Sequence, residues 1–273
     1  MSAMVATMSR GLLVMAALFG SAFAAEVETF DHEFTNWDSI TKQYVRWLPD
    51  NLQSRVDYAG LARDRTRLAQ VLSGYSAVRQ ATFDKWNQRQ QMAFLINAYN
   101  AFTVELILTK YPDLRSIKDL GSLLESPWKR KFFTLLGARH NLDWIEHEML
   151  RARYQDPRIH TAIVCASIGC PALLPGAYIA AKLDQQLEDG MRRFVSDPTR
   201  NRYRAGKLEV SSIFDWFKED FEKGNQGYRS VGDVFARYAG NLTSDPRVEA
   251  NIRAKTVPIT FLDYNWMLND SVR

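Results

Sequence analysis

The chain has 273 residues, 46% hydrophobic and 24% charged, with two cysteines and 35 Lys+Arg against 31 Asp+Glu. These proportions exclude a disordered, collagen-like or disulfide-scaffold protein and leave room for a sizeable core. Acidic and basic residues are interleaved at a net charge of only +4, so no nucleic-acid partner is expected.

In chain order, residues 1–24 read as a cleavable signal peptide. Arg10 supplies the positive n-region, Gly11 to Gly20 a ten-residue apolar core, and Ala22-Phe23-Ala24 the cleavage pattern. That run is too short to span a bilayer, and no later segment is both long and uncharged enough. The expected product is a periplasmic or secreted protein with a single globular domain over 25–273 and no integral membrane span. Helices are predicted over 38–48, ending at Pro49, and over 61–72, ending before Gly74. A long helix follows from an N-cap at Thr82 to about Lys110. A β-hairpin over 131–142 turns at Gly137-Ala138, and Asp143 is placed to cap a short helix ending at Arg151. The β-branched run 159–164 reads as a buried strand. Residues 179–194 read as a helix with a break at Gly190. Two strands over 203–210 pair about Ala205-Gly206, helices follow over 212–222 and 230–238, and a strand over 259–264 closes the chain. Helices first and hairpins later indicate an α+β fold, a helical N-terminal half with a long buried central helix packed on a mainly antiparallel sheet.

Two stretches carry the chemistry. Residues 92–102 are apolar on every side of the central helix except at Asn97 and Asn100, so the helix is buried and its two amides must find partners. They either tie neighbouring loops to the helix or orient a catalytic group. The second stretch, 160–171, runs from His160 through Cys165 to Cys170-Pro171, and it places both cysteines in or beside a Gly-containing turn at the predicted strand end. A thiol there is a nucleophile if an imidazole lowers its pKa. On a regular strand His160 and Cys165 face opposite sides, which makes His147 the first choice of base, with Glu146 in support and His160 in reserve. Alternatively the two cysteines form a local disulfide, as an oxidising compartment favours. His147, His160, Cys165 and Cys170 lack metal-ligand spacing, so neither metal nor cofactor is expected.

Together these pieces resemble the family called domain of unknown function 547, in its stand-alone exported bacterial form. The matching segments are 96–101, Ile145-Glu146-His147 with Leu150-Arg151, and 160–171. Residues 212–217 with Asp220-Phe221, and 263–266 with Leu268-Asn269, extend the likeness over about 82–269. The resemblance implies that positions matching Asn97, Asn100, Glu146, His147, His160 and Cys165 are kept. It also implies that the position of Cys170 is serine in plant forms, which singles out Cys165.

The expectation is a Cys-His thiol hydrolase or transferase with papain-like or transglutaminase-like logic, acting on an amide or thioester bond. In it Cys165 is the nucleophile, His147 or His160 the base, and Asn97 or Asn100 orients the imidazole or lines an oxyanion site. The rival is a non-catalytic binding or scaffold module with a Cys165–Cys170 bridge. The ligand is a peptide or small molecule in either case.

Overall fold

The computed structural model describes residues 30–122 and 125–271. The predicted signal peptide, 1–24, lies outside the described residues. The account that follows concerns the unit Asp31–Arg273.

The first helix, α1 (Thr35–Tyr44), is shorter than predicted. The chain turns extended at Val45 and pairs as β1 (Val45–Trp47) with the antiparallel strand β2 (Ser54–Val56). Helix α2 (Tyr58–Arg63) is capped by the Asp57 carboxylate, which accepts from Gly60 N–H. Helix α3 (Arg65–Ala77) runs through Gly74, where a Cβ would meet nothing within 4 Å, so the expected stop there is wrong.

The predicted long helix divides. Gln80–Phe83 forms a single turn, α4, and α5 (Gln88–Leu108) starts afresh at Asn87. Asn87 and Gln90 form a reciprocal capping box, each side chain bonded to the other's backbone N–H. This pair starts a helix more strongly than Thr82 does. Helix α5 is buried almost throughout from Met92 to Leu108 and packs on α2 and α3. Phe102 on α5 stacks on Phe133 of β3 (Phe133–Leu135) at 3.9 Å. Strand β3 pairs with β4 (Ala138–His140) as the predicted hairpin, turning through Leu136 and Gly137, both at positive φ.

Trp144–Arg151 is a π-helical segment rather than an α-helix. Asp143 does not cap it; Asn141 Oδ1 accepts from Trp144 N–H instead. The predicted strand over 159–164 does not form. Asp156 caps a 3₁₀ turn, Pro157–Thr161, with proline at its first position. An Asp-Pro start is a helix signal, and here it prevails over β-branched propensity. Helix α6 (Leu183–Ser196) passes unbroken through Gly190 and packs on that 3₁₀ turn.

The C-terminal part forms a second core. Strands β5 (Arg202–Arg204), β6 (Lys207–Ser211) and β7 (Ile259–Leu262) make a sheet with β5–β6 antiparallel and β6–β7 parallel. Helices α7 (Ile213–Trp216), α8 (Lys218–Glu222), α9 (Val231–Arg237) and α10 (Pro246–Arg253) surround it. Phe194, Phe214, Phe221 and Phe235 fill the space between, each at most 1% exposed. The fold is α+β, and among the described residues the strands are divided among three small and mainly antiparallel sheets. Among the described residues no helix is long and apolar enough to cross a membrane.

Candidate functional site

The two buried amides of α5 are spent on backbone. Asn97 donates to Tyr178 C=O (2.7 Å) and accepts from Tyr178 N–H (3.0 Å). Asn100 donates to Ala162 C=O (2.9 Å) and accepts from Val164 N–H (3.0 Å). Asn100 thus supplies residues 162–164 with the pairing that a neighbouring strand would have given. Neither amide lines the pocket described below, so the expected role in orienting an imidazole or an oxyanion is replaced by a scaffold role.

Asn100 delivers the chain to Cys165. Ala166 adopts φ 59°, a left-handed conformation that is costly for a residue with a side chain. The following turn is pinned to the C-terminal segment: Ile168 N–H bonds Met267 C=O, Gly169 N–H bonds Asn265 C=O, and Asn269 N–H bonds Ala166 C=O. Pinning brings Tyr264 over the turn. A Cβ on Gly169 would lie 3.0 Å from the Tyr264 ring, so glycine is what allows this approach.

Cys165 and Cys170 are free thiols with sulfurs 2.9 Å apart. The Cys165 sulfur is also 3.1 Å from the hydroxyls of Ser167 and Tyr264. Burial pushes the Cys165 thiol up, but hydrogen bonds from Cys170, Ser167 and Tyr264 outweigh it and lower the pKa to about 7. Burial and the neighbouring Cys165 sulfur push the Cys170 thiol up. Cys165 is therefore the member of the pair that ionises first.

The pocket beside Cys165 is a cavity of about 200 Å³. It brings together four predicted residues, Glu146, His147, His160 and Cys165, with Asp143 and an aromatic wall of Trp128, Trp216, Phe217, Tyr264 and Trp266. Among the described residues no hydrogen bond joins the Cys165 sulfur to either imidazole.

The imidazoles differ in what is left for chemistry. His147 Nδ1 faces the Arg151 guanidinium at 2.9 Å and must accept from it, since guanidinium has no lone pair to offer. Its Nε2 carries the proton and lies 3.9 Å from Asp143 Oδ1. Burial lowers the His147 pKa, and Arg151 adds to this against the pull of Asp143. In this arrangement the basic nitrogen of His147 is engaged by Arg151. Glu146 does not support it: its carboxylate accepts from Tyr99 OH at 3.2 Å. Burial first, then the nearby Asp143 charge, raises the Glu146 pKa to about 7 against the Tyr99 bond.

His160 is arranged the other way. Its ring is buried and stacks on Phe217 at 3.8 Å, and Nε2 lies 2.8 Å from Asp220 Oδ2. Asp220 also accepts from Arg151 Nε (2.5 Å) and Lys223 Nζ (2.8 Å). Burial opposes ionisation of Asp220, but the bonds from His160, Arg151 and Lys223 hold its carboxyl far below the usual range. An ionised Asp220 accepts only, so His160 must carry its proton on Nε2 and leave a lone pair on Nδ1. Burial lowers the His160 pKa against the pull of Asp220, keeping the ring neutral. Nδ1 is buried and has no hydrogen-bond partner.

Asp220 and Tyr264 were not among the predicted site residues, although both stand in segments that carry the family resemblance. Among the described residues no three His, Cys, Asp or Glu side chains are placed to hold a metal ion. Neither a curated protein nor a solved structure matches the chain. Residues 83–195 match the model of the family described as "Protein of unknown function, DUF547", and over this stretch the chain is similar to that family.

Proposed function

We propose that the protein is a cysteine-dependent hydrolase or acyl transferase acting on an amide or thioester bond. The observation that carries the reading is His160: a neutral, buried imidazole that lines the same cavity as Cys165, held through Nε2 by ionised Asp220, with no hydrogen-bond partner for Nδ1 among the described residues. In this reading His160 Nδ1 takes the Cys165 proton, and the thiolate attacks the acyl carbon to give a thioester on Cys165. The Nδ1 proton then passes to the departing amine or thiol. His160 next deprotonates water or an acceptor nucleophile, which releases the acyl group and restores the thiol. Tyr264 OH, 3.1 Å from the sulfur and lining the cavity, is the donor assigned to the developing oxyanion. The arrangement follows papain-like logic, with an aspartate holding the imidazole. Residues 1–24, read as a signal peptide, support action in the periplasm or outside the cell.

A panel of activated acyl thioesters, read by intact-protein mass spectrometry, tests the reading. One acyl group is expected on wild-type protein, mapped to Cys165 and lost in Cys165→Ser. A second reading, a binding module with a bridged pair, is favoured by the 2.9 Å approach of the sulfurs. Absence of free thiol in the unreduced protein, together with no acyl-enzyme, would select that module.

A further inference from the structure

Three polar groups around the cavity share one character. Glu146 is buried, and its single hydrogen bond is from Tyr99 to one carboxylate oxygen. Asp143 has no ion pair beyond the 3.9 Å approach of neutral His147. His160 offers the unpartnered Nδ1 lone pair. His160 Nδ1 and the ionised forms of both carboxyls are acceptors, and among the described residues neither carboxyl has a Lys or Arg within ion-pair distance, although the charges of Lys129 and Arg151 act on Asp143 and Glu146 respectively. Among the described residues no Lys or Arg lines the cavity, and nearby Arg151 is engaged by Asp220 and His147. A ligand complementary to this set brings hydrogen-bond donors and positive charge.

The wall agrees. Trp128, Trp216 and Trp266 stand together, with Trp216 and Trp266 stacked at 5.6 Å and Trp128 edge-on to Trp266 at 5.9 Å. Outside the cavity lining, Lys118 Nζ sits 3.9 Å from the Trp266 ring centroid, so this indole already receives one cation. Faces of indole attract cations, more strongly where water is excluded.

We propose that Asp143 and Glu146, beside this tryptophan wall, bind the ammonium of an amine-bearing acyl substrate: an aminoacyl or N-terminal peptidyl amide or thioester. The inference rests on the reading of Cys165 as nucleophile for the bond that is cut, but the ammonium subsite itself is independent of the thiol. The carboxylates fix the free amine, which sets the acyl carbon within the cavity beside Cys165. Capping the amine removes both the charge and two of its donors.

Binding to the full chain carrying Cys165→Ser tests the subsite without turnover. The probes are alanylalaninamide and its N-acetyl form, titrated calorimetrically at pH 7, where the free amine is mostly protonated. The free-amine peptide is expected to bind at least about tenfold more tightly. Asp143→Asn and Glu146→Gln should each remove much of that advantage, the double variant all of it, and Glu146→Asp should recover most. Equal binding of the two peptides, no binding of either at millimolar concentration, or an advantage that survives in the double variant overturns the proposal. The nucleophile reading fails separately, by absence of an acyl group on Cys165 in the wild-type protein.

Discussion

At the scale of single residues, two thiols and two imidazoles are told apart by their partners. His147 and His160 line one cavity, yet Arg151 occupies the basic nitrogen of the first, while Asp220 orients the second and frees its basic nitrogen. The same contrast separates Cys165 from Cys170. Hydrogen bonds with three groups, Cys170, Ser167 and Tyr264, gather on the Cys165 sulfur and lower its pKa to about 7, below an ordinary thiol. Removing one donor should undo part of that. In Tyr264→Phe, the pH at which Cys165 alkylation by iodoacetamide reaches half its maximum should rise by roughly one unit. An unchanged midpoint would show that Tyr264 does not bond the thiolate.

At the scale of elements, α5 and the 162–164 segment form one device. The sequence made α5 legible because an apolar helix broken only by two amides has to be buried, and the structure seats both amides on backbone. Residues 159–164 were not legible as a turn. Their β-branched run imitates a strand, and what decides the outcome is the Asp156-Pro157 start together with Asn100, sixty residues distant. Four of the six predicted site residues share the cavity; Asn97 and Asn100 instead build its support. Asp220 and Tyr264 escaped because local spacing says nothing of where α8 and the segment after β7 pack. Asn100→Ala leaves a buried N–H and C=O unpaired, for a loss on the order of 2–4 kcal/mol. Urea denaturation measures this, and the variant should also acylate more slowly, since residues 162–164 lead directly to Cys165.

At the scale of the whole molecule, the site is assembled from the middle of the chain and its C-terminal core. Residues 83–195 contribute Glu146, His160 and Cys165, while the C-terminal core contributes Asp220 and Tyr264 from beyond the matched stretch. The cavity has a stability cost that pH exposes. Burial raises the Glu146 pKa to about 7 in the folded protein, against about 4.3 in an unfolded chain. Between those values the folded state binds more protons, so the stability from Glu146 is fully present below about pH 4 and falls as pH rises through about 7. Glu146→Gln carries no such charge. It should be more stable than wild type at pH 8, by on the order of 2–4 kcal/mol, and lose that advantage near pH 4. Chemical denaturation at the two pH values checks the sign. A variant less stable than wild type at pH 8 would mean that Glu146 is paired as an anion within the fold.

The claim on which the account turns is that His160, held by Asp220, serves Cys165. Its most direct test is the single-turnover rate of Cys165 acylation by a thioester in His160→Ala and His147→Ala, with circular dichroism to confirm that each variant is folded. The account predicts a fall of about 10²–10⁴-fold for His160→Ala and an effect at least ten times smaller for His147→Ala. A larger loss in His147→Ala, or equal losses in both, would contradict it.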